Sequence, residues 1–225
     1  LWSGPYPLNL IGDLGRAQHA ISLTLLSFTA VLTLCFVISV ITERRRLQNP
    51  LLAVAGLTGA AGLLIDGFQT VPADMPGFVA PLAALYFLVS AFFLGSVIFA
   101  MILGHWYLVV PTLPISPLRS LTLAMGGIIL VKIFLTGLTC YLLWTAGDPH
   151  FREILRSFLG IGGIFVWARA LFGLLGPLAI AYMTWETVKI NSTQSATGLL
   201  YVATVFVLIG ETFSKYIFYT TSIPI

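Results

Sequence analysis

Charge is scarce in this sequence. Only 8% of its 225 residues are Asp, Glu, Lys or Arg, against about 25% in an ordinary soluble domain. Apolar residues make up 58%, and a single soluble core could not hide them, because a domain of this size still leaves much of its surface in water. A soluble enzyme, a nucleic-acid module and a disordered chain are excluded. Cysteine is nearly absent: Cys35 and Cys140 both fall inside apolar segments. That excludes a disulfide scaffold, and the two read as buried small apolar residues. No Cys-x-x-Cys, His-Glu-x-x-His or Gly-x-Ser-x-Gly occurs, so no self-bound iron–sulfur cluster, zinc site or hydrolase elbow is expected. The Gly160-Ile161-Gly162-Gly163 cluster follows no strand and precedes no phosphate-binding Lys, and it reads as small residues for helix packing. Leu1 to His19 lacks a compact apolar stretch behind a basic end, so no signal peptide is read there.

What is present is a series of long apolar runs. Six reach the roughly 20 residues that a membrane-spanning helix needs: about 20–42, 50–67, 80–104, 118–144, 157–183 and 196–221. The reading is an all-α, polytopic integral membrane protein, a bundle of about six transmembrane helices forming one domain over residues 1–225. The second run carries Gly56, Gly59, Ala60, Ala61 and Gly62 and is expected to lie close among its neighbours. Ser116-Pro117 is a start signal for the fourth span. Asp148-Pro149 is one for the fifth, with an interfacial turn ahead of it. Pro111, Pro114 and Pro117 keep the third connection extended. Two sets of three spans allow an inverted pseudo-repeat in geometry, but no internal repeat stands out.

Orientation follows from Lys and Arg in the connections. Those after spans one, three and five hold Arg44, Arg45, Arg46, Arg119 and Lys189; the amino-terminal segment and the other connections hold Arg16, Arg152 and Arg156. The bias places residues 43–49, 105–117 and 184–195 inside and both termini outside, as in a bacterial inner membrane. Asn191-Ser192-Thr193 spells a glycosylation sequon, but this orientation puts it on the wrong side.

Five charged residues fall within or at the end of spans: Asp66, Lys132, Arg169, Glu211 and Lys215. A charge at the bilayer centre costs about 2.5–3.5 kcal/mol on insertion scales, so each calls for a partner or a function. Lys132 and Arg169 read as central in spans four and five, and Glu211 as just past the centre of span six. Asp66 ends span two and is read as snorkelling to water. Glu211 and Lys215 stand i, i+4 with the acid first, the favourable order for a helical pair. Three readings follow. Either they neutralise each other while Arg169 docks the fifth span on the sixth, or Glu211 is a proton-exchanging carboxyl lining a polar pocket beside Arg169 and Lys215, or the charges bind a substrate or lipid.

Membrane haem needs two facing imidazoles at one depth. His105 lies at the opposite membrane face from His19 and His150, so His19 with His150 is the only pair that could hold one, and haem is not expected. Gly104-His105-Trp106-Tyr107 reads as an interfacial anchor, with His105 and Tyr107 as the hydrogen-bonding groups if a head group or quinone docks there. Trp144, Trp185 and Tyr182 read as aromatic belts.

The stretch from Gly210 and Glu211 through Lys215 to Tyr216, Phe218 and Tyr219 resembles the last helix of the NrfD and DMSO-reductase type of quinol-interacting membrane anchor. The resemblance covers about a tenth of the chain, and those anchors have eight or more spans. It implies a haem-free subunit that binds quinol and passes electrons to a partner's cofactors, with Glu211 and Lys215 lining the quinone or proton route. The expectation is therefore an integral membrane subunit of a respiratory or photosynthetic electron-transfer complex, not catalytic alone. It binds no cofactor by itself except a quinone. Its partners are membrane lipid and subunits carrying haem or iron–sulfur centres, not nucleic acid. The rival readings are a small-solute or ion transporter and a structural, lipid-binding accessory subunit.

Overall fold

The computed structural model describes residues 13–225 apart from 111, 112, 147, 148, 159, 161 and 162, and does not describe the side chains of 13–19, 22 and 150. The His19 and His150 side chains, the pair weighed for haem, and Asp148 therefore lie outside the description. Among the described residues every regular element is helical: α1 (Asp13–Ile41), α2 (Arg45–Gln69), α3 (Val79–Val109), α4 (Ser116–Thr145), α5 (Pro149–Ser157), α6 (Ile164–Ala170), a π-helical turn (Leu171–Leu175), α7 (Gly176–Lys189) and α8 (Thr193–Thr221). The π-turn joins α6 and α7 into one rod, Ile164–Lys189. Counting that rod once, six helices are long and apolar enough to cross a membrane. The protein is an all-helical, polytopic integral membrane protein.

Contacts gather into two compact units, Leu1–Leu88 and Val89–Ile225, with the boundary inside α3. In the first, α1 packs on α2. Thr29 Oγ1 donates to Thr58 Oγ1 at 3.0 Å, and Gly59 and Gly62 leave room for Thr29 and Leu26 of α1. Gly67 lies so close to the Ala84 backbone that a side chain there would overlap it. Small residues do bring α2 near its neighbours, yet of its 25 residues only Ala55, Gly62 and Gly67 are buried. Its other faces are open because the small-residue stripe is narrow. The same applies to Cys35, which is exposed rather than buried.

The second unit has a continuous core. Phe93, Val97 and Ala100 of α3 meet Leu118, Met125 and Ile129 of α4, Ile180 and Val188 of α7, and Leu200, Ala203 and Val207 of α8. The reason is periodicity: the buried positions of α4 are Leu118, Thr122, Met125, Ile129, Lys132, Leu135, Thr139 and Leu143, steps of three or four that keep one stripe on one face. The threonines on these stripes bond back to their own helices. Thr122, Thr139, Thr184 and Thr204 each donate to the carbonyl four residues earlier, at 2.8–2.9 Å, so their hydroxyls are satisfied in an apolar setting. The outer surface is apolar too, with Phe134 and Tyr219 each 67% exposed, as suits lipid contact.

The fifth span differs from expectation. Residues 149–157 form a separate short helix whose Phe151 is buried, and the long rod begins only at Ile164. The break has a steric origin: a side chain on Gly163 would strike the Phe158 backbone. That glycine serves a tight turn rather than helix packing. Arg169, expected near mid-span, consequently sits in the second turn of its helix.

Candidate functional site

Lys132 occupies a position on the buried stripe of α4 and is completely inaccessible. Its Nζ donates to Ser90 Oγ of α3 at 2.9 Å and to Glu211 Oε1 of α8, forming an ion pair. The Nζ also stands 5.3 Å from the centre of the Phe93 ring, within cation–π range. Glu211 flanks the buried stripe of α8 between Val207 and Ser214, and its side chain retains 12% exposure. The cation is sealed in, and the carboxylate is the end that can be reached. Three helices thus converge on one charge pair.

The next layer comes from the π-turn. Gly173 in the turn and Gly210 of α8 touch backbone to backbone: a Cβ on Gly210 would overlap the Gly173 backbone, and one on Gly173 would run into the Arg169 guanidinium. The Arg169 guanidinium lies against Gly173, and Arg169 is 2% exposed. A π-turn holds one residue more than an α-turn and so shifts the helix phase. Below it, Ile180 and Thr184 face the core. Above it, Arg169 is turned inward beside the residue that precedes Glu211. Ser214, one turn beyond Gly210, donates to the Ile225 carbonyl at 2.6 Å.

The Glu211 carboxylate receives Lys132, a partner far along the chain. Lys215 is half-buried one turn further along α8. Asp66 lies near the end of α2, half-buried, in the first unit. Ser90 was not among the sequence candidates; a lone serine in an apolar helix carries no signal in one sequence. The signal for Lys132 was its depth, which matches that of Glu211.

The Gly104–Tyr107 motif is divided by helix geometry. Gly104 lies against Thr197 and Leu200 of α8. His105 Nδ1 shares a 3.1 Å hydrogen bond with the Tyr201 hydroxyl, while Trp106 points outward. Tyr107 is buried and donates to the Pro114 carbonyl at 2.5 Å. Its hydroxyl is thereby engaged within the fold, and the motif fastens α3 to α8 and to its own following loop. Near that end of the unit, Arg119 and Lys189 stand 5.1 and 5.3 Å from the Trp185 ring. Where α4 ends, Arg152 and Arg156 of α5 flank Trp144 at 5.7 and 5.9 Å. Cations beside tryptophans at helix ends are the arrangement expected at headgroup level.

Fold and site together define a polytopic helical membrane protein with a buried Lys–Glu pair among its helices. Comparison with protein-family models, curated proteins and solved structures returns no match.

Proposed function

We propose that the chain is an integral membrane subunit of an electron-transfer complex, in which the Lys132–Glu211 centre takes up and releases the protons of a quinone. The observation that carries this reading is the asymmetry of the pair: Lys132 is sealed while Glu211 is partly accessible. A quinol hydroxyl approaching Glu211 could donate to a carboxylate oxygen. Oxidation of the quinol then releases two electrons and two protons. The electrons pass to a redox centre held by a partner subunit, and Glu211 relays the protons. Lys132 holds the carboxylate in place and balances its charge while it is unprotonated. The connections are too short to form a redox domain, so the electron carriers are proposed to sit on partner subunits. The Lys and Arg distribution favours both termini outside, in what we take to be a bacterial inner membrane.

The test is Glu211→Gln in the native complex. The expected result is a loss of quinol-linked turnover of at least tenfold with the subunits still co-purifying; normal turnover would overturn the reading. The π-turn beside the charges favours a second reading, since interrupted helices often line transport sites. Solute flux by the chain alone in liposomes, abolished by the same substitution, would establish that reading instead.

A further inference from the structure

The turn between α1 and α2 holds a cleft of about 490 Å³, lined by Cys35, Ile38, Ser39, Thr42, Arg44, Leu47 and Leu51. Its two ends differ in chemistry. At the rim, Glu43 turns the chain in a left-handed conformation with φ 55°, and Arg44, Arg45 and Arg46 follow, all exposed. Among the described residues none of these arginines is ion-paired, and the turn carries a net charge of +2. Ser39 and Thr42 contribute no spare hydroxyl protons, since each donates to its own helix, to Phe36 and Ile38 carbonyls. Gln48 Nε2 reaches the Ser39 carbonyl at 3.4 Å and ties the two helices together. The floor is apolar. Cys35 stands seven residues before Thr42 and Leu51 seven after Arg44, so each lies about 10 Å deeper at 1.5 Å per residue.

A soluble anion would leave this apolar floor unused, and a neutral acyl chain would leave the arginines unused. We propose that the cleft binds an anionic phospholipid. One acyl chain lies between Ile38 and Leu51 with its upper methylenes beside Leu47, and the phosphate sits on Arg44 with Arg45 and Arg46 nearby. Charge complementarity selects the head group, and the depth of the apolar floor selects an amphiphile. The site lies wholly within the first unit and is independent of the Lys132–Glu211 centre.

Native mass spectrometry of the delipidated full chain, titrated with phosphatidylglycerol and with phosphatidylcholine of the same acyl chains, tests it. The structure leads to retained phosphatidylglycerol adducts that Arg44→Gln weakens roughly fivefold, as about 1 kcal/mol per arginine implies. Phosphatidylcholine binding should be weaker and unchanged by that substitution. Leu51→Trp, which fills the floor and leaves the arginines intact, should also weaken phosphatidylglycerol. Glycerol phosphate should not displace the lipid. Equal binding of the two lipids, or indifference to Arg44→Gln, would overturn the proposal. Displacement by glycerol phosphate would overturn it in favour of a simple anion site.

Discussion

Removing the cation from Lys132 strands Glu211 in an apolar bundle. Loss of one partner from a buried ion pair destabilises by about 3–5 kcal/mol, whereas replacing both by apolar groups of similar volume is often neutral. Lys132→Met is therefore expected to lower the unfolding midpoint in detergent strongly, and Lys132→Met combined with Glu211→Met to restore most of it. If the proposed function holds, the double variant regains stability without activity, which separates the scaffold from the chemistry. A double variant as unstable as the single one would show that the pair is needed for folding itself. Glu211 was legible as an intramembrane acid, but its partner was not. Sequence spacing exposes neighbours one turn away, such as Lys215, whereas Lys132 is 79 residues distant and meets Glu211 only through the rotation and depth of two separate helices. Tyr107 follows the same logic, since nothing in Gly-His-Trp-Tyr tells which ring turns inward to Pro114.

At the scale of elements, the contact between the π-turn and α8 depends on two missing side chains. Gly210→Ala places a methyl against the Gly173 backbone, and overpacking of this kind costs about 1–3 kcal/mol. The same change at Gly198, on the same helix with nothing within 4 Å of the added carbon, should be neutral or stabilising by roughly 0.5–1 kcal/mol. Thermal unfolding of the two variants in detergent checks the pair. Equal effects would mean that the close crossing does not hold the helices together. The long helices were readable because apolar length dominates membrane insertion. The π-turn was not, because an extra residue within one turn leaves composition and mean hydropathy unchanged. The break at Gly163 was also missed: four residues of a Gly-rich cluster suit a packed helix and a tight turn equally well, and only the approach of Phe158 decides.

For the whole molecule, class followed from the shortage of charge, while arrangement did not. The chain's grouping into units of residues 1–88 and 89–225 leaves no trace in a sequence whose apolar runs are evenly spread. The order of connections can be checked directly. In a chain with Cys35 and Cys140 replaced by Ala, Arg45→Cys and Glu186→Cys should label from one side of the membrane and Glu153→Cys from the other. Labelling of Arg45→Cys and Glu153→Cys from the same side would break the six-span path.

The Lys132–Glu211 pair also has a history within each molecule. During synthesis the lysine leaves the ribosome 79 residues ahead of its carboxylate, an interval of about 4–16 s at 5–20 residues per second. Through that interval α4 must be held with an uncompensated cation, either by the insertion machinery or by lipid head groups reached through the flexible lysine stem. Synthesis of α8 therefore closes an electrical imbalance opened by α4. A nascent chain that stalls before α8 holds Lys132 without its carboxylate.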